Sequence, residues 1–162
     1  MIQQTMLLTV LFTIAVTAQQ PPATDAHDQM NARGAHVMGF DQDQTVHQFR
    51  LHTDGGAIDI RVKAREDRDN ITAIRSHLPH IAEMFGAGNF EAPMLIHATD
   101  VPGTSAMTAR KDRIRFAYVE TPQGGRVDII TTDAEALKAV HEFLRFQIAD
   151  HRTGDSTAVT KR

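Results

Sequence analysis

Histidine is the residue type that could do most chemistry in this chain, which has nine histidines, one tyrosine, no tryptophan and no cysteine. His77 and His80 lie three residues apart, a spacing at which two side chains on a helix can share one ion. Met84 follows one turn later along the same edge. Imidazole suits Zn, Cu, Ni and Fe, and a thioether adds a preference for Cu(I). The spacing therefore indicates a transition-metal site, with copper as the first candidate.

More donors of the same two kinds lie elsewhere in the first 97 residues. His47 is predicted to face inward on a strand, and Met94 and His97 share the segment APMLIHA. The hypothesis is a non-catalytic binding protein that gathers these groups around one ion. Its metal ligands are His77, His80, His47, His97, Met84 and Met94.

Other functions remain open on the same residues. A small hydrolase or lyase could use His47 or His97 as general base with Asp41 or Asp43 as its carboxylate partner. Zinc could replace copper, and a haem could bind through His77 or His80. A structural, partner-binding module with no small ligand is the last alternative, since a histidine at the edge of a core is often only a packing residue.

Several function classes are excluded by what the chain lacks. The motifs G-x-S-x-G, H-E-x-x-H and the glycine-rich phosphate loop are absent, which removes the common hydrolase, zincin and nucleotide-binding signatures. Seventeen Lys and Arg stand against twenty Asp and Glu for a net charge of −3, so the composition does not favour a nucleic acid or an anionic membrane as partner. The absence of cysteine excludes disulfides and thiolate metal sites.

The amino-terminal segment predicts export. An apolar run of twelve residues, LLTVLFTIAVTA, ends in the small-x-small pattern of a cleavage site, so residues 1–18 are interpreted as a signal peptide. Residues 19–35 are polar with Pro and Gly and are predicted to form a flexible leader. A single domain then covers 36–154, and 155–162 are predicted to form a disordered tail. We expect a periplasmic or secreted protein with no membrane span in the mature chain.

The first half of that domain predicts a β-hairpin followed by a helix. Apolar and polar residues alternate from Thr45 to Leu51 and again from Ile58 to Val62, on either side of an Asp-Gly turn. Apolar residues then recur every three or four positions, as on one face of a helix. They are Ile71, Ile74, Leu78, Ile81 and Phe85.

The second half repeats this order. Ile114–Tyr118 and Val127–Ile129 alternate around a Gly-Gly turn, and a helix follows from the capping box of Thr132 and Glu135. The predicted fold class is α+β: a two-layer ββα-ββα pseudo-repeat with an antiparallel four-stranded sheet and two helices on one face.

The two predicted helices differ at equivalent positions. Phe143 and Phe146 stand where His77 and His80 stand in the first half, if the glycine-rich turns are superposed and a three-residue difference in the connecting loop is allowed. One copy of the repeat is therefore interpreted as structural, and the other as the carrier of the donors.

Several segments together resemble a family of uncharacterised exported bacterial proteins. They are MGFDQ at 38–42, TVHQF at 45–49, IRSHLPHIA at 74–82, EFLRFQI at 142–148, His151 and TGD at 153–155. The resemblance covers nearly the whole mature chain. Some members carry the label aspartate carbamoyltransferase, but the Ser-Thr-Arg-Thr loop with which that enzyme binds carbamoyl phosphate is absent here. The resemblance implies export and a bacterial source, and it implies no specific chemistry.

Overall fold

The structure is a computed structural model, and it describes residues 23–162. The predicted signal peptide, 1–18, and the first four residues of the predicted leader lie outside this part of the chain. Among the described residues, no helix combines the length and the apolar character that a membrane span needs.

A five-stranded sheet forms one layer of the fold. Its strands are β1 (Thr45–His52), β2 (Gly55–Val62), β3 (Ile114–Thr121), β4 (Gly124–Thr131) and β5 (Val159–Thr160). Their order across the sheet is β3-β4-β2-β1-β5. The first four strands pair antiparallel, as predicted, whereas β5 pairs parallel with β1.

Helices and one short 3-10 turn complete the described structure. They are α1 (Ala23–Met38), α2 (Arg68–Gly86), α3 (Glu91–His97), α4 (Thr104–Ala109), the 3-10 turn Lys111–Arg113 and α5 (Ala134–Asp150). An aspartate caps each long helix that packs on the sheet, because a carboxylate can accept from a backbone N–H that has no partner in the first turn. Asp67 accepts from Asn70 N at the start of α2, and Asp133, rather than the predicted Thr132, accepts from Ala136 N at the start of α5.

The two halves meet at the centre of the sheet, where β2 pairs with β4. A Cβ atom on Gly55 would lie 2.0 Å from Ile129 O, and one on Gly124 would lie 2.2 Å from Ile60 O, so only glycine fits at both reciprocal positions. The helices cross over in the same reciprocal way. Leu144 of α5 packs on Gly56, and Leu78 of α2 packs on Gly125, so each helix covers the hairpin of the other half.

The α+β class is confirmed, but the sheet and the helices exceed the prediction. The four predicted strands and both long helices are present, with the apolar stripe of α2 buried as expected. The fifth strand makes the sheet mixed, and α1, α3 and α4 were not predicted. The segment between the two halves forms α3 and α4.

The prediction of a flexible leader is wrong for its described residues. Met30, Gly34 and Met38 are buried on α1, four residues apart, and the helix packs against α3. Arg33 anchors that contact, because its Nε donates to Ile96 O at 2.8 Å. The apolar stripe is narrow, so the polar composition of the segment concealed it.

The prediction of a disordered tail is also wrong. Asp155 Oδ2 accepts from Phe49 N at 2.8 Å, and Thr53 N donates to Thr160 O at 2.9 Å. Arg162 Nη1 then donates to Asp128 Oδ1 at 2.8 Å. These bonds hold the segment along the edge of β1, and they bury His52, which the strand alternation places on the open face of the sheet.

Candidate functional site

A small cavity lies between the inner face of the sheet and the helices, and four histidines line it. Its volume is about 60 Å³, which is room for a few water molecules or a ligand of a few heavy atoms. The polar lining residues are His47, His77, His97, Gln147 and His151. The apolar ones are Met38, Phe49, Ile58, Ile60, Leu78, Ile81, Phe85, Ala92, Pro93, Ile96 and Phe143.

His47 and His151 form the centre of the cluster. Their rings are stacked, with centroids 5.2 Å apart and planes 12° from parallel. His97 meets the ring of His151 edge-on, with centroids 5.0 Å apart. The strand alternation of β1 turns His47 inward, as predicted, and His151 follows the last residue of α5.

His77 lies on α2 and shares Phe40 with His47 as a neighbour. The ring of Phe40 stacks against His47 with centroids 6.0 Å apart and meets His77 edge-on at 5.8 Å. His77 thus lines the cavity from α2, with the ring of Phe40 beside it.

Hydrogen bonds fix the orientation of His97. Its Nδ1 lies 2.5 Å from Asp150 Oδ2, and its Nε2 lies 3.0 Å from Gln147 Oε1. The side chain of His97 is 1% exposed, whereas that of Asp150 is 42% exposed. Asp150 engages Nδ1 and the side-chain amide of Gln147 engages Nε2, so His97 has no nitrogen left to bind a metal ion in this arrangement.

Three buried polar atoms of the lining residues have no hydrogen-bond partner among the described residues. They are His47 Nε2, His77 Nε2 and Gln147 Nε2. A buried polar group without a partner costs about 1–3 kcal/mol, and such groups are rare in native proteins. Their concentration around one small cavity points to a ligand that supplies the missing contacts.

Burial keeps three of the lining imidazoles, His47, His77 and His151, uncharged. Burial, together with the smaller effect of the neighbouring His77, lowers the pKa of His47 from 6.5 to about 4. Burial, with His80 nearby, likewise lowers the pKa of His77 to about 4. For His151, burial and then His47, His97 and His27 lower the pKa to about 2. These three imidazoles are neutral at pH 7, which is the form that binds a metal ion.

Half of the six predicted metal ligands lie outside the cavity. His80 is exposed, and its Nδ1 donates to Ser76 O at 2.7 Å, because the spacing of three residues turns it about 60° away from His77. Met84 packs against the core without lining the cavity, and Met94 lines a separate groove between α3 and α4. The pairing of His77 with His80 at one ion is not seen.

Within the described residues, no hydrogen bond or ion pair joins the predicted carboxylates to a histidine. Asp41 Oδ1 accepts from Asp43 N at 2.7 Å and from Gln44 N at 3.2 Å, which closes the turn before β1. Asp43 accepts from Asn31 Nδ2 at 3.5 Å. The carboxylate that does pair with a cavity histidine is Asp150.

Sequence reasoning missed Gln147, Asp150 and His151 as site residues. Phe143, Gln147 and His151 recur every four residues, and this spacing places them on one face of α5 and its end. That pattern was available, but it is the same as the apolar stripe of a helix. His141, by contrast, is structural, since its Nε2 lies 2.9 Å from His52 O and 3.0 Å from Gly55 O.

Among residues 23–162, no three His, Cys, Asp or Glu side chains are close enough together to hold a metal ion. A metal in this cavity would therefore have to use two imidazoles, with a thioether or a non-protein ligand. The thioether of Met38, at the end of α1, is the soft donor that lines the same cavity.

No family model, curated protein or solved structure matches the chain.

Proposed function

We propose that this protein is an exported, periplasmic binding protein that holds Cu(I) in the histidine-lined cavity. The observation that supports the proposal best is the pair of buried, unpartnered nitrogens, His47 Nε2 and His77 Nε2, in the wall of one small cavity. Met38 supplies the thioether there, and His151 lines the same cavity. His80, Met84 and Met94 are not part of the proposed site.

The character of the cavity favours a monovalent ion over a divalent one. Its lining is mainly apolar and includes no carboxylate. Asp150, which is hydrogen-bonded to the lining residue His97, is already paired. The desolvation cost of an ion rises with its charge, so an uncompensated Zn²⁺ or Cu²⁺ would be costly here. Cu(I) accepts neutral soft ligands and low coordination numbers, which suits two imidazoles and a thioether.

Haem is disfavoured as the ligand because a cavity of about 60 Å³ is far smaller than the porphyrin. The exposed side chain of His80 also lies away from the cavity. Of the candidate cofactors copper, zinc and haem, Cu(I) is therefore preferred to haem.

The experiment is a competition titration of the mature protein with Cu(I), using a chromophoric Cu(I) chelator, with Cu(II) and Zn(II) as parallel titrations. We expect His47→Ala/His77→Ala to weaken Cu(I) binding by about 100-fold or more, because both nitrogen ligands are lost. The matched control is His36→Ala/His80→Ala, which removes two exposed histidines. It should bind as the parent does.

The proposal fails if the parent binds Cu(I) no more tightly than the His47→Ala/His77→Ala variant. It also fails if the control variant loses the same affinity, which would indicate adventitious binding at the surface. A circular dichroism spectrum of each variant checks that it is folded, so that a loss of binding is not a loss of structure.

An acid–base enzyme is the second candidate, because a carboxylate does orient a cavity histidine. Asp150 holds His97 at 2.5 Å, the arrangement by which a carboxylate orients a general base. Gln147 occupies the other ring nitrogen, so the side chain of Gln147 would have to turn before His97 could accept a substrate proton. Hydrolysis of p-nitrophenyl acetate that falls in His97→Gln but not in His36→Ala would favour this candidate, and equal rates would reject it.

A further inference from the structure

A second, larger cleft lies on the opposite face of the sheet from the histidine cavity. Its volume is about 520 Å³, and it lies between the β3–β4 turn and the segment that joins β2 to α2. Its charged lining consists of four arginines and one carboxylate: Arg50, Arg61, Arg65, Arg68 and Asp59. The cleft is thus strongly positive in a chain whose net charge is −3.

Most of this positive charge has no counter-ion within the described residues. Asp59 is 3.4 Å from Arg50, so the one lining carboxylate is already paired. No ion pair of residues 23–162 includes Arg61, Arg65 or Arg68. Three guanidinium groups at one cleft repel one another, and a bound anion would relieve that repulsion.

Three acidic residues lie beside these arginines in the chain, none of them lines the cleft, and Asp67 is used as a helix cap. Asp67 lies between Arg65 and Arg68, but its carboxylate accepts from Asn70 N at 3.1 Å and from Asn70 Nδ2 at 2.7 Å. It caps α2 instead of lining the cleft. The cap therefore separates a carboxylate from the arginines that flank it.

The opposite wall of the cleft is held rigidly. Arg75 Nη2 donates to Thr121 O at 2.7 Å, and Arg75 Nε donates to Gly124 O at 3.3 Å. Val62 N donates to Gln123 O at 3.0 Å, which ties the turn to the end of β2. A wall fixed in this way loses little conformational entropy when a ligand binds.

We propose that this cleft binds a small soluble anion that carries two or more phosphate or carboxylate groups. A guanidinium group binds either group through two parallel N–H donors, so several arginines in one concavity suit a ligand with several such groups. The cleft is also concave and walled by a turn, which favours a small molecule over a flat membrane surface. The site lies on the other face of the sheet from the histidine cavity, and the proposal does not depend on copper binding there.

The experiment is isothermal titration of the whole mature protein with inorganic pyrophosphate and with citrate, at low and at high salt. We expect Arg61→Gln/Arg65→Gln to weaken binding by about tenfold or more, and added salt to weaken it in the parent. The matched control is Arg115→Gln/Arg145→Gln, which removes the same charge from exposed positions outside the cleft. It should change the affinity by less than about twofold.

The parent's preference between pyrophosphate and citrate assigns the phosphate or carboxylate class, and binding of acetate with equal affinity would overturn the multivalent site. The proposal is also overturned if neither probe binds at low salt, or if both double variants lose affinity equally. Co-sedimentation with phosphatidylglycerol vesicles is the last arm. Binding to vesicles without binding to pyrophosphate or citrate would overturn the proposal and assign the arginines to a membrane surface.

Discussion

Equivalent positions on α2 and α5 carry different rings toward the same cavity. Phe143 of α5 is 1% exposed and packs among Phe85 and Phe90, with centroids 5.9 and 6.1 Å away. His77 of α2 lines that cavity with a buried nitrogen that has no partner. At this position of the fold a phenyl ring, that of Phe143, packs well without any hydrogen bond. The imidazole of His77 likewise makes no hydrogen bond through its buried Nε2. The nitrogen of His77 is explained by a ligand better than by stability.

The largest effect expected from this difference is a loss of stability in acid. Unfolded histidine titrates near pH 6.5, whereas His47, His77 and His151 have lowered pKa values in the folded protein. The unfolded chain therefore takes up protons first as pH falls. The contribution of these histidines to the free energy of unfolding is fully present above pH 6.5 and is lost progressively toward pH 4. The shift of His47 alone corresponds to about 3 kcal/mol, at about 1.4 kcal/mol per pKa unit. Urea denaturation at several pH values measures it.

The control for that measurement is His36→Ala, which removes an exposed imidazole outside the cavity, and its pH profile should match that of the parent. His47→Gln should make the profile less steep. A profile that is flat between pH 7 and pH 4.5 would contradict the burial of neutral imidazoles.

Phe143→His tests the comparison from the structural copy. The substitution removes buried apolar surface and places a polar nitrogen where the fold supplies no partner, so we expect the free energy of unfolding to fall by about 2–3 kcal/mol. Chemical denaturation of the variant and the parent at pH 7.5 gives the difference. Phe146→His, at a position that is only partly buried, serves as control and should cost less. An equal cost at both positions would count against the assignment of Phe143 to the core.

His77→Phe tests the comparison from the other copy. It removes the unpartnered Nε2 and keeps a ring of similar shape, so we expect the free energy of unfolding to rise by about 1–2 kcal/mol. The same variant should lose most of its Cu(I) affinity. A gain in stability without a loss of Cu(I) binding would remove His77 from the proposed site, and a loss of stability would show that its nitrogen has a structural partner.

The smallest expected effect concerns the sheet edges, at which the halves also differ. The edge of β1 is covered by β5, whereas no strand within the described residues covers the edge of β3. Asp155→Asn weakens the bonds to Phe49 N and Thr153 Oγ1, so we expect a loss of about 1 kcal/mol. Ser156→Ala, next to it and exposed, is the control for the denaturation curve. Equal stability of Asp155→Asn and the parent would show that the tail is held by β5 and Arg162 alone.

The part of the fold that could be predicted is the part that repeats a local period. β1 to β4 each alternate in apolar and polar residues over part of their length, and α2 buries Ile71, Ile74, Leu78, Ile81 and Phe85 at helical spacing. The features that were missed have weak local signals. α1 shows only two methionines and a glycine on its buried face, and β5 has two residues that become a strand because β1 is beside them.

The candidate site was predictable only in its residue types. The first-half imidazoles drew attention to His47, His77 and His97, and all three line the cavity. His80 was assigned wrongly, because spacing on a helix shows that two side chains are neighbours without showing which of them faces the interior. His151 and Asp150 could not be placed, since they follow an apolar stripe at the end of α5 and gain their significance from β1 and α3.

By itself, the sequence determined the ββα order of each half, the side of each strand that meets the helices, and the supply of imidazoles in a chain without thiols. These are local properties, since side-chain direction follows from the period of a single element. The tertiary structure decided which imidazoles meet and which remain neutral. Proximity and desolvation arise only when β1, α2, α3 and the end of α5 close around one space, and no pattern within a single element contains that information.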